Sequence, residues 1–185
     1  MPITPNPSHK AEPAAAGTKG APHVKVKGNV EVASIPPQLP AGARLRTLLY
    51  IEDNPANMML VEQIIAERSD IRLLTAVNGI LGIELARASK PDVILMDINL
   101  PEVSGVDALT ILREDPATAH IPIVALSANS MLRDIQFGIE VGFFRYLTKP
   151  IKIKEFMETL NVALEFSERT NGTHTGEVDR AGKSL

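Results

Sequence analysis

Four apolar stretches of the 185-residue chain each run into side chains that could do chemistry. TLLYI (47–51) leads to Glu52 and Asp53, and DVILM (92–96) leads to Asp97. IPIVAL (121–126) leads to Ser127, and FFRYL (143–147) leads through Thr148 to Lys149 and Pro150. An ionised carboxylate at the edge of an apolar segment is costly unless a cation or hydrogen-bond donors meet it. Acids, a hydroxyl and an ammonium in equivalent positions therefore suggest one shared site. Carboxylates at short range raise one another's pKa unless a cation neutralises them. Oxygen ligands without His or Cys select Mg²⁺, which keeps waters and accepts a phosphate oxygen. With that ion bound, one carboxylate is free to attack phosphorus and become an aspartyl phosphate. The lysine and the hydroxyl would hold phosphoryl oxygens as charge builds on them.

The elements that must position these groups alternate regularly. Apolar runs at 47–51, 71–76, 92–96, 121–126 and 143–147 are each followed by a helical pattern. Asn54 caps the first helix, with Pro55 at its first position and Met58, Val61 and Ile65 on one face. Asn78 caps a second carrying Leu81, Leu85 and Ala88, and Ser104 a third carrying Leu109 and Leu112. A fourth spans 130–140, and a fifth aligns Ile153, Phe156, Met157, Leu160 and Leu164. Strands alternating with helices imply a parallel sheet covered on both faces, a doubly wound α/β three-layer sandwich. Runs as continuous as Val93–Met96 are typical of central parallel strands. In such sheets ligands sit outside the carboxyl ends of the strands, where the singled-out residues fall. Each has a bland reading alone: Ser127 as a helix cap, Lys149 as a solvated lysine, Glu52-Asp53 as a favourable pair at a helix start. Their joint placement favours a site.

Composition narrows the class. Cys and Trp are absent, which removes disulfides and thiolate metal sites. No apolar run approaches the roughly 20 residues of a membrane span, and the N-terminus lacks a signal-peptide pattern. A soluble, cytoplasmic protein is the expectation. The net charge of −3 is unevenly spread. Residues 1–46, rich in Pro, Ala, Gly and Lys, carry six basic and two acidic side chains. Residues 47–168 carry ten basic and eighteen acidic ones, and the polar tail 169–185 three and two. An acidic body argues against a nucleic-acid partner. The division predicts a disordered N-terminal segment (1–46), a folded body (47–168) and a flexible tail (169–185). The apolar piece Val30–Ile35 could dock as a strand.

The motifs YIEDNPANM, ILMDINLPEVSG, VALSAN and YLTKP together resemble the receiver domain of bacterial response regulators, over about Thr47 to Leu164. The resemblance is nearest to receivers of hybrid sensor histidine kinases. It implies a flavodoxin-like five-stranded sheet of order 2-1-3-4-5 with five helices. Asp97 would be the phosphoacceptor, with Asp53 on Mg²⁺ directly, Glu52 through a coordinated water and Asn99 through its backbone carbonyl. Ser127 would be the switch hydroxyl, Tyr146 the switch aromatic and Lys149 the phosphate partner, with Lys149-Pro150 a cis peptide. Pro101 and Gly105 fit the loop and helix start after the acceptor.

The donor would be a histidine kinase or a histidine phosphotransfer protein, and the output a contact with an unknown protein target. Fourth helix, fifth strand and fifth helix would form the readout face. Met131, Phe137, Tyr146 and Lys152 are candidates there, the first two equally compatible with a core stripe. Phe144 reads as core before partner surface, the other place for it. Such a receiver would accept phosphate on itself, act away from membranes and occur as a monomer or a phosphorylation-dependent dimer. Two alternatives stay open: a haloacid-dehalogenase-type Mg²⁺ phosphatase, which would want an Asp where Asn99 stands, and a receiver-shaped interaction module with a vestigial site.

Overall fold

Side chains on both faces of three strands are buried, which forces the chain into layers. The computed structural model describes residues 44–129 and 131–174. In order these form β1 (Arg46–Ile51), α1 (Pro55–Ala66), β2 (Ile71–Ala76), α2 (Gly79–Ser89), β3 (Val93–Asp97) and α3 (Gly105–Glu114). β4 (Ile123–Ser127), α4 (Leu132–Glu140), β5 (Arg145–Thr148) and α5 (Ile153–His174) follow. The segment 1–43, including Val30–Ile35, and the residues 175–185 lie outside the described residues. All strand pairs are parallel, and the order is β2-β1-β3-β4-β5. The structure is thus the doubly wound sandwich that the alternation implies, with the flavodoxin-like strand order that the resemblance implies.

The period of two along each strand splits the core. Leu48 and Tyr50, Val93 and Leu95, Val124 and Leu126 face a cluster with Val61 of α1 and Phe156, Leu160 and Leu164 of α5. Leu49 and Ile51, Ile94 and Met96, Ile123 and Ala125 face Ile83 and Ala86 of α2 and Leu109 and Leu112 of α3. Caps form as the sequence suggests. Asn54 accepts from Ala56 and Asn57, Asn78 from Leu81, and Ser104 from Asp107.

Several elements depart from the sequence pattern. The buried face of α2 is Gly79, Gly82, Ile83 and Ala86, with Leu81 and Ala88 exposed and Leu85 half-buried. Gly82 allows this, because a Cβ there would sit 2.4 Å from Cδ1 of Ile51. β4 and β5 start two residues later than the apolar runs; Phe143 belongs to the core but precedes the strand. Ile153 is exposed in the first turn of α5, and that helix crosses the 168/169 boundary to reach His174. Phe144 is half-buried against the α1/α5 cluster, its ring 4.9 Å from that of Phe166. Among the described residues no helix is long and apolar enough to cross a membrane.

Opposite the strand carboxyl ends, an ion network ties α5 to the sheet. Arg68 grips Asp70 through two hydrogen bonds of 2.7 and 2.8 Å and reaches Asn161 of α5 at 3.0 Å. Arg46 bonds Asp70 from the other side and meets Glu168 at 3.3 Å. The Arg68 hydrogen bonds, against partial burial and with help from Arg46, hold the Asp70 carboxyl far below the usual carboxylate range. A depressed acid stabilises the fold above its unfolded pKa and loses that contribution as pH falls toward the folded value. Asp70→Asn should therefore cost about 1–2 kcal/mol at neutral pH and flatten the stability decline below about pH 4. Urea denaturation of both proteins between pH 2 and 7 checks this.

Candidate functional site

Register brings the chemically active residues level. Ile51 pairs with Met96, so Glu52 and Asp97 end neighbouring strands at the same height. Asp97 pairs with Leu126, and Ser127 with Thr148, which carries Lys149 to the same edge. Parity then sorts them. Glu52, Asp97 and Lys149 each lie two residues after a side chain of the α1/α5 cluster, namely Tyr50, Leu95 and Leu147.

The result is a dense acid-base cluster. Lys149 Nζ donates to Asp97 Oδ2 at 2.6 Å and to Glu52 Oε2 at 2.8 Å. Glu52 is 1% exposed and Asp97 4%, so neither carboxylate is well hydrated. One carboxylate oxygen from each of Glu52, Asp53 and Asp97 lies within 4.8 Å of the others. Asp53 is exposed, and its carboxylate has no hydrogen-bond or ion-pair partner among the described residues. Three carboxylates against one ammonium leave the site two charges negative. This oxygen-only set could hold a hard divalent cation that compensates them.

Neighbouring groups set the protonation. Burial pushes the Glu52 carboxyl up, but hydrogen bonds from Lys149, Asn57 and Tyr50 outweigh it and hold the group below its ordinary value. Burial pulls the Lys149 ammonium down, while its bonds to Asp97 and Glu52 raise it overall. Tyr50 is pushed far above the ordinary phenol range, first by burial and then by the Glu52 charge. The cluster therefore stands as carboxylate, ammonium and neutral phenol at neutral pH.

Other residues ring this centre. The Asn99 backbone N–H donates to Asp97 Oδ1 at 3.0 Å. Ser127 is buried, its Oγ accepting from the Asn129 N–H at 3.0 Å, and its carbonyl takes the Lys149 N–H at 2.7 Å. The Lys149-Pro150 peptide is cis. Tyr146 stands apart from the acids, its hydroxyl donating to the Asn129 carbonyl at 3.4 Å. Two residues escaped the sequence reading: Tyr50 donates to Glu52 Oε2 at 2.8 Å, and Asn57 Nδ2 to Oε1 at 3.1 Å. The available signal was a phenol in an otherwise aliphatic strand run, two residues before an acid and so on its face.

The description "response regulator receiver domain" fits residues 48–161 of the chain. The chain belongs to the response regulator receiver domain family. The polar-differentiation response regulator DivK of Brucella anthropi is 38% identical over 115 residues, covering 62% of this chain and 93% of that protein. The receiver domain of the sensor histidine kinase PA1611 from Pseudomonas aeruginosa, whose structure has a magnesium ion coordinated in the active site cleft, is 30% identical. It superposes with a TM-score of 0.60 over 65% of this chain and 98% of that one. Chemotaxis response regulator CheY4 of Vibrio cholerae, 23% identical with a TM-score of 0.60, covers 65% and 99% and shares the fold. Receivers of this kind are signalling modules of two-component systems, acting between histidine kinases and downstream targets.

On this receiver, α4 is the element least anchored in the core. Gly138 is its only buried residue, while Met131 just before it and Leu132, Phe137 and Ile139 within it are exposed. Met131 and Phe137 are thus surface residues and not core stripe. Gly138 is buried because the Tyr146 ring lies on it; a Cβ there would stand 2.7 Å from Cδ2 and 2.9 Å from Cε2. The ring is the movable end of a side chain, so it would yield before the backbone does. Gly138→Ala should change Tyr146 ring resonances strongly. Its melting temperature should stay within a few degrees, since the gain in helix propensity of about 1 kcal/mol offsets part of the clash. Aromatic NMR spectra and thermal melts measure both.

Proposed function

We propose that this receiver takes a phosphoryl group from a phosphohistidine onto Asp97, in a Mg²⁺-dependent reaction, and so switches the face built from α4, β5 and α5. The observation that carries this is the lysine bridge: Lys149 joins Asp97 and Glu52, beside an unpartnered Asp53. Asp53 and Asp97 would ligate the ion directly, the Asn99 carbonyl would add a ligand, and Glu52 would act through a coordinated water. Bound there, Mg²⁺ would offset the acids' repulsion and take up charge on the transferred phosphoryl oxygens.

The chain's own residues do the rest. The Asp97 carboxylate attacks phosphorus, an O–P bond forms, the P–N bond breaks, and the imidazole nitrogen leaves with the electron pair. Lys149 then turns from the Asp97 carboxylate to a phosphoryl oxygen, gaining a charge-assisted hydrogen bond. Ser127 donates to another such oxygen and thereby gives up its present arrangement with the Asn129 N–H. That segment also carries the carbonyl holding the Tyr146 hydroxyl, so its shift would release the ring from its seat on α4. Exposed Met131, Phe137 and Lys152 then serve the protein target.

The donor would be a histidine kinase or a histidine phosphotransfer protein. Incubation with phosphorylated candidates, with and without Mg²⁺, tests the reading. Hydroxylamine-labile label approaching one phosphate per chain, only with the ion, is expected. Multiple turnover of simple phosphate esters would instead mark a phosphatase, and absence of label with every donor and with acetyl phosphate a vestigial site.

A further inference from the structure

Glu52 accepts four hydrogen bonds, as many as a carboxylate has lone-pair sites. Oε1 takes the Asn54 N–H at 3.3 Å and Asn57 Nδ2 at 3.1 Å. Oε2 takes the Tyr50 hydroxyl at 2.8 Å and Lys149 Nζ at 2.8 Å. The first donor is backbone, and Lys149 is already shared with Asp97. Tyr50 and Asn57 are therefore the side chains dedicated to this acid. Tyr50 is fully buried, and its one polar atom serves Glu52.

We propose that Tyr50 and Asn57 are positioning residues that hold Glu52 so that one lone pair, the one Lys149 occupies, is available to a metal-bound water. This rests on the reading of Glu52 as an acid that meets the ion through water. When Lys149 leaves Oε2, as the ion enters the cluster or as a phosphoryl oxygen draws it, three donors still fix both carboxylate oxygens and one site on Oε2 falls vacant. Without them, a glutamate, one methylene longer than Asp53 or Asp97, would have rotamers that carry its charge out of reach. Partners of this kind orient the groups around a metal and set its affinity although they never touch it.

The full chain with Mg²⁺ alone gives the direct test, by calorimetric titration with magnesium chloride. Tyr50→Phe and Asn57→Ala should each weaken Mg²⁺ binding roughly tenfold, the lower end of what loss of an outer-shell partner costs a metal site. Thermal melts in EDTA should show Tyr50→Phe folded and close to the parent, since the ring is retained. Glu52→Asp withdraws the carboxylate by roughly 1.5 Å, one carbon–carbon bond, from the phenol and the amide. In that background Tyr50→Phe should change Mg²⁺ affinity by less than about twofold. Mg²⁺ affinity within twofold of the parent in both single variants overturns the proposal, as does an equal loss from Tyr50→Phe in the parent and in the Glu52→Asp background. A parent chain that binds no Mg²⁺ and takes no label from acetyl phosphate would instead sink the phosphoacceptor reading itself.

Discussion

Asp97→Asn is expected to take up no phosphate from any donor that labels the parent chain, however much Mg²⁺ is supplied. The reason is the nucleophile. A carboxylate oxygen carries a charged lone pair, whereas an amide oxygen is neutral and its nitrogen is conjugated, so neither forms a stable bond to phosphorus. The shape of the cluster should survive the change. Asn at this position keeps an oxygen that can accept from the Asn99 N–H, and Lys149 retains Glu52 at 2.8 Å. Mass spectrometry of the intact protein after acetyl phosphate treatment gives the answer directly. Label on the variant at the parent's level would place the acceptor elsewhere.

Lys149→Ala should separate binding from chemistry. Lys149 is the single cation contacting the acid cluster among the described residues, bonding Asp97 and Glu52. Its loss leaves three carboxylates facing one another, so Mg²⁺ should bind at least as tightly as to the parent. Phosphorylation should nevertheless slow by about a hundredfold, the effect typical of deleting one donor to a charge that grows in the transition state. The shape change should fail as well, because the ammonium that would turn from Asp97 to the phosphoryl oxygen is gone, while the backbone N–H of residue 149 still holds the Ser127 carbonyl as at 2.7 Å in the parent. Calorimetry with Mg²⁺, labelling rates, and Tyr146 chemical shifts with a phosphoryl mimic separate the three effects. Weaker Mg²⁺ binding would mean that the lysine organises the acids and does not merely compete with the ion.

The fold was legible where burial is two-sided. Val93–Met96 is aliphatic throughout because both layers cover it, as central strands of parallel sheets are covered. Glu52, Asp53, Asp97 and Lys149 were legible because each follows such a run, and parallel pairing levels their ends. What was missed depends on groups that periodicity cannot see. The inward face of α2 is made by Gly79 and Gly82, whose value is absence of a side chain. An apolar pattern therefore pointed to Leu81 and Ala88 instead. Ile153 matches the helical stripe, yet it is the first residue of α5 and stands exposed. Tyr50 passed for core because it is core, and its hydroxyl matters only once Glu52 is placed beside it. The structure also contains a device the sequence hides: Arg113, half-buried and with no carboxylate partner among the described residues, spans the carbonyls of Ala119, Ile121 and Gly142, joining the end of α3 to the turn before β5.

The light anchoring of α4 has an energetic meaning. An equilibrium between two placements of an element moves from 1:99 to 99:1 for about 5.5 kcal/mol of differential interaction. Two charge-assisted hydrogen bonds, worth about 1.5–3 kcal/mol each, reach that range. Leu132 is 85% exposed and Gly138 is all that α4 buries, so little apolar contact resists relocation of this helix. Under the proposed reaction, a single small anion at the carboxyl edge of the sheet, where α4 begins just after Ser127, would thus have enough leverage to redraw the surface that α4 offers.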